Sequence, residues 1–130
     1  MLLPLRPTAA AALLASFTLL VACAPASSQA YTTVSVQDLR TAQQAGEFVL
    51  DVRTPAEYAE SHVPGATLLP LQDLPARRNE VPKDRKVYVI CRSGSRSAQA
   101  SGILAARGKD VTNVGGGMNE WTAAGYGTVR

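Results

Sequence analysis

The chain has little aromatic character: one Trp, four Tyr and two Phe in 130 residues. A packed interior must therefore be built from Val, Leu, Ile and Ala, which the 46% apolar content permits. Histidine and cysteine are scarcer still, with one and two copies. No spacing resembles the Cys/His sets that hold zinc, so no metal site is expected. There is no block of like charge either. Thirteen Lys and Arg against ten Asp and Glu leave a net charge of +3 spread along the chain. Such a scatter reads as a solvated face, and no nucleic-acid interface is expected. No repeat or low-complexity segment interrupts the sequence, and its length suits one domain and no more.

What is present begins with an apolar stretch from Ala9 to Ala22, behind a single positive charge at Arg6. It is too short to span a bilayer comfortably but suits the core of a signal peptide. The stretch closes on "LVAC", Leu20 to Cys23, which resembles the bacterial lipobox. That resemblance implies a signal peptide over residues 1–22, with Cys23 diacylated as the first mature residue. Each buried methylene contributes about 0.8 kcal/mol, so several acyl chains anchor stably. The protein is then expected to be an exported, periplasmic lipoprotein with a lipid anchor in the membrane. Ordinary cleavage after Ala30 would instead give a soluble exported protein. Residues 23–33 read as linker, 34–126 as the domain and 127–130 as a C-terminal tail. Either processing route leaves Cys91 without an intramolecular partner in an oxidising compartment, where a lone thiol reads as reactive or intermolecular. The bland alternative is a buried, inert cysteine.

Strand and helix signals alternate through the rest. Ser35 is a good N-cap, with Asp38 three residues on, and Leu39, Ala42 and Ala45 share one helical face before Gly46. "FVLDV", Phe48 to Val52, reads as a buried parallel strand. Thr54, Pro55 and Glu57 occupy the cap, N1 and N3 positions of a second helix. "TLLPL" is a brief strand, Pro70 placing it at an edge or an end. A short helix is expected over Asp73 to Asn79, a central strand in "KDRKVYVI", a helix ending at Gly108, a strand in "DVTNV" and a last helix in "MNEWTAAG". This succession implies an α/β domain whose parallel sheet is covered on both faces.

Ligands of such sheets bind beyond the carboxyl ends of the strands. Cys91 stands at that end of the most apolar strand, followed by Arg92, Ser93, Gly94, Ser95, Arg96 and Ser97. The loop turns into a helix, so its amides can form an anion-binding nest, which Gly94 permits conformationally. Helix N-termini and adjacent cations depress a thiol pKa from about 8.5 toward roughly 3.5–7.5. Cys91 is therefore expected to be nucleophilic, in a loop that also binds an anionic substrate.

"CRSGSRS" resembles the active-site loop of the rhodanese family of sulfurtransferases. "LDVRTPAEYAESHVPGA" resembles its first motif and "NVGGGMNEWTAAG" its closing Gly-Gly…Trp motif. The match runs from about residue 34 to 126. One departure is Ser61, where the family usually has Gly before the histidine.

The resemblance implies a rhodanese-like three-layer α/β/α fold with a mainly parallel sheet. It also implies a persulfide on Cys91, formed from thiosulfate or a similar donor and passed to cyanide or a thiol. Arg92, Ser93, Gly94, Ser95, Arg96 and Ser97 would bind the anion. Other readings are a persulfide carrier for a protein partner, a cysteine-dependent arsenate reductase or phosphatase, and a non-enzymatic binding module. Cysteine-dependent phosphatases have five residues between Cys and Arg, whereas four separate Cys91 from Arg96. Asp51 and Arg53 end a strand on the edge that carries Cys91. They either line the site or pair with neighbours, Arg53 with Glu57 for example. His62 reads as stabilising its Pro-Gly turn rather than as a base. Trp121 and Met118 read as packing, and Gly115 to Gly117 as a tight turn.

Overall fold

The structure, a computed structural model, describes residues 30–130 together with Pro4. The expected signal segment 1–22, Cys23 and most of the linker lie outside the described residues. From residue 30 the chain runs β1 (Thr32–Val34), α1 (Val36–Gln44), β2 (Phe48–Asp51), α2 (Pro55–Glu60) and β3 (Thr67–Leu68). It continues with α3 (Leu74–Arg77), β4 (Val87–Ile90), α4 (Ser95–Ala105), β5 (Val111–Val114) and α5 (Gly117–Ala123). Short 3-10 turns at Leu71–Asp73 and Arg78–Glu80 flank α3.

Local chemistry sets the helix starts. Ser35 and Asp38 close a capping box on α1, and Thr54 and Glu57 close another on α2, behind Pro55. The helix expected over Asp73 to Asn79 is broken into three short turns, with Pro75 in its first turn and no side-chain cap. α4 stops at Ala105, short of Gly108, because the next amides bond three residues back: Arg107 to Leu104 and Gly108 to Ala105.

The strands pair in the order β1–β5–β4–β2–β3, every neighbour parallel. β4 is central, with Val89 opposite Leu50 of β2 and Asn113 of β5. β1 adds an edge strand whose first two residues, Thr32 and Thr33, fall in the segment read as linker. Its three residues, Thr-Thr-Val, carry no apolar run to announce it.

Successive strand residues face opposite ways, and the core divides accordingly. Val87, Val89 and Leu50 pack with Ala100 and Leu104 of α4. Val49, Ile90 and Val114 pack with Leu39 of α1 and with Met118 and Trp121 of α5. The result is three layers, α/β/α, with the aliphatic interior that the scarcity of aromatics demands. Each fully buried aliphatic side chain contributes about 1.5–3 kcal/mol. Trp121, the one fully buried aromatic among the described residues, donates its indole N–H to the Gly127 carbonyl at 3.0 Å. His62 and Val129 exchange backbone hydrogen bonds of 2.9 and 3.0 Å. The last residues are thereby held against the first motif, at His62.

Candidate active site

The alternation that buries Val87 and Val89 on the α4 side puts Cys91 there as well, one residue past the end of β4. Its side chain packs in the same cluster, and the residue is only 1% exposed. The chain must turn at once to let α4 begin at Ser95. It does so through Gly94, whose φ of 102° is open to glycine and strained for other residues.

That turn folds the loop over the sulfur. The Gly94 amide donates to Cys91 Sγ at 3.1 Å. Ser97, fully buried on the first turn of α4, places its hydroxyl 3.3 Å from Sγ. Burial pushes the thiol pKa up. The Ser97 hydroxyl and the amides of Ser97, Gly94 and Ser93 outweigh it, so the pKa lies below that of an ordinary thiol. The sequence reading gave part of this effect to the arginines. In the structure the depressing groups are neutral donors. Arg92, Ser93 and Ser95 are exposed at the rim of the loop.

Arg96 points away from that role. Its guanidinium forms two hydrogen bonds of 2.8 Å with the two carboxylate oxygens of Glu57. Glu57 is pulled down to about 2, chiefly by Arg96 and against the effect of burial, with help from the Thr54 amide and hydroxyl. The suggested Arg53–Glu57 pairing is corrected here. Arg53 instead grips Asp51, with Nη2 2.7 Å from Oδ2, and donates to the Ser61 carbonyl at 2.7 Å. Asp51 also accepts the Arg53 amide, so the two residues close their own ring at the end of β2. This buried pair braces the β2–α2 connection. Ser61 itself has a φ of −169°, extended backbone that any residue adopts, so replacing glycine there strains nothing.

His62 is turned from the sulfur chemistry. Its Nδ1 donates to the Tyr58 carbonyl at 2.8 Å, and its ring stacks on Tyr58 at 3.6 Å. Tyr58 in turn donates to the Ala66 carbonyl at 2.6 Å, across the Pro-Gly turn.

The glycine run has a part that the sequence reading missed. The amides of Met118 and Asn119, in the first turn of α5, donate to the carbonyls of Cys91 and Arg92 at 2.9 and 3.0 Å. A side chain on Gly117 would meet those carbonyls, its Cβ lying 2.6 Å from the Arg92 oxygen. One on Gly94 would come within 3.2 Å of the Gly116 amide. The β5–α5 turn therefore presses on the cysteine loop from behind and fixes the direction of its peptides. Three glycines where one would make a turn were the available signal. Two small clefts open on either side of the Arg96–Glu57 pair. One, about 180 Å³, has Val52, Pro70 and Leu71 in its wall; the other, about 150 Å³, has Arg92 and Asn119.

The profile of the Rhodanese-like domain matches residues 35–124. A sulfurtransferase of Allochromatium vinosum is 42% identical over 87 residues, spanning 66% of this chain and 81% of the relative. Thiosulfate sulfurtransferase PspE of Escherichia coli is 41% identical over 75 residues, spanning 55% of this chain and 72% of the relative. Among solved structures, a rhodanese-related protein of Thermoplasma volcanium superposes with a TM-score of 0.73 at 32% identity, covering 76% of this chain and 98% of that one.

Proposed function

The chain belongs to the rhodanese-like domain family, and from that premise we propose that it is a thiosulfate sulfurtransferase working through a persulfide on Cys91. The observation that carries this reading is the cradle itself: a thiol ending the central strand, with the Gly94 amide and the Ser97 hydroxyl on its sulfur. The thiolate attacks the outer sulfur of thiosulfate. A new S–S bond forms at Cys91, the old one breaks, and sulfite leaves with its electron pair. The persulfide keeps one negative charge, held by the amides that held the thiolate. Cyanide or a thiolate then takes the outer sulfur, and the Cys91 thiolate returns. No proton moves in the cyanide cycle, so no general base is required. Thiosulfate as donor is supported by the activity named for the Escherichia coli relative.

A phosphatase reading fares worse. Its leaving group needs an acid, and Glu57, with a pKa of about 2 in its pair with Arg96, is ionised at any working pH. Purified protein given thiosulfate and cyanide is expected to release thiocyanate, and Cys91→Ser to release none. Full activity in that variant would refute the mechanism.

We further propose that residues 1–22 direct export and that Cys23 is acylated and anchors the domain in a membrane. Cys23→Ala is then expected to move the protein from the membrane to the soluble fraction. Unchanged partitioning would refute the anchor.

A further inference from the structure

Glu57 joins two parts of the molecule that lie 39 residues apart. As N3 of the α2 capping box it accepts the amide and the hydroxyl of Thr54, both at 3.0 Å. The same carboxylate takes both guanidinium nitrogens of Arg96. Arg96 is the second residue of α4 and adjoins Ser97, whose hydroxyl touches the Cys91 sulfur. The charged groups at this edge are Asp51 at the end of β2 and Arg53 after it, Glu57 and Glu60 on α2, Arg92 on the loop, Arg96 on α4, and Glu120 on α5. Arg53 is spent on Asp51, and the Arg92 side chain is exposed. Arg96 is held in its charged form chiefly by its hydrogen bonds to Glu57, with lesser attraction from the Cys91 sulfur and Asp51.

Resting on the sulfur-transfer reading, we propose that Glu57 is a positioning residue that acts through Arg96, fixing its guanidinium beside the cysteine loop and offsetting its charge. A full cation there would hold an anionic donor more tightly. It would also stabilise the persulfide anion, which is the ground state of the second half-reaction. Stabilisation of a ground state beyond that of the following transition state slows turnover. The paired arginine shapes the loop, while amides and a hydroxyl hold the sulfur loosely enough to give it away.

Glu57→Gln tests this. The amide oxygen still accepts from Thr54, so the cap survives, and only the charge is lost. The KM for thiosulfate is expected to fall about two- to fivefold, and kcat to fall with it. Alkylation of Cys91 by iodoacetamide, measured below the thiol's titration midpoint, is expected to be about three- to tenfold faster. Unchanged KM and unchanged alkylation, or slower alkylation, would overturn the proposal. Should that variant not fold, Arg96→Gln is expected to raise KM and slow alkylation, and no effect there would overturn it equally. Alkylation needs no sulfur donor. A wild type that releases no thiocyanate while Glu57→Gln still accelerates alkylation refutes the sulfur-transfer reading and retains the charge offset. Active wild type with no response in Glu57→Gln does the reverse.

Discussion

At the scale of single residues, a nearly buried sulfur is made acidic without a dedicated cation. Burial alone would keep Cys91 protonated. The Ser97 hydroxyl and the loop amides reverse that preference, and an amide nest cannot be titrated away. Ser97→Ala removes one donor and leaves the burial intact, so the thiol pKa is expected to rise. A hydrogen bond to a charged group is worth about 1.5–3 kcal/mol, so alkylation of Cys91 near pH 7 should slow about tenfold or more. An unchanged rate-against-pH profile would show that the amides suffice. Cys91 was legible in the sequence because the signal is local: an apolar strand, a thiol, then glycine and hydroxyls within seven residues. The partner of Arg96 was not. Glu57 announced itself only as a cap, and nothing in a linear reading joins residues 39 apart across two helix starts. The nearer pairing of Arg53 with Asp51 was equally open to inspection, but a strand-end kink brings it about, and that kink depends on the folded edge.

At the scale of elements, the cysteine loop is held from two sides. α4 supplies the Ser97 donor in front, and the first turn of α5 clamps the Cys91 and Arg92 carbonyls behind. Gly117 is the tight point, with a φ of 53° and no room for a Cβ. Gly117→Ala is expected to cost more than about 2 kcal/mol and to depress Cys91 reactivity even below the melting transition. Denaturant unfolding together with alkylation kinetics measures both. The capping boxes of α1 and α2 were readable because their partners stand three residues apart. β1 was not, since its three residues become a strand only by lying beside β5, some 80 positions later. The α3 region failed for a related reason. Its composition allows a helix, but Pro75 and the absence of a cap leave only short turns.

At the scale of the whole molecule, a parallel sheet gathers the carboxyl ends of its strands at one edge, so the Cys91 loop, the Glu57 cap of α2 and the first turn of α5 come together there. The same geometry makes acid stability depend on the site. The folded pKa of Glu57, about 2, lies below its ordinary value of 4.5. Its pair with Arg96 therefore contributes stability above pH 4.5 or so, and that contribution is lost as pH falls toward 2. Glu57→Gln should flatten this part of the acid limb in equilibrium unfolding, whereas an unaltered acid limb would mean that the pair adds nothing to stability. The central claim, sulfur carried on Cys91, is tested most directly by intact-protein mass spectrometry after incubation with thiosulfate and removal of excess donor. The account predicts a gain of one sulfur atom, located on Cys91, absent in Cys91→Ser and reversed by cyanide with release of thiocyanate. An unmodified wild-type protein, or the same gain in Cys91→Ser, would contradict it.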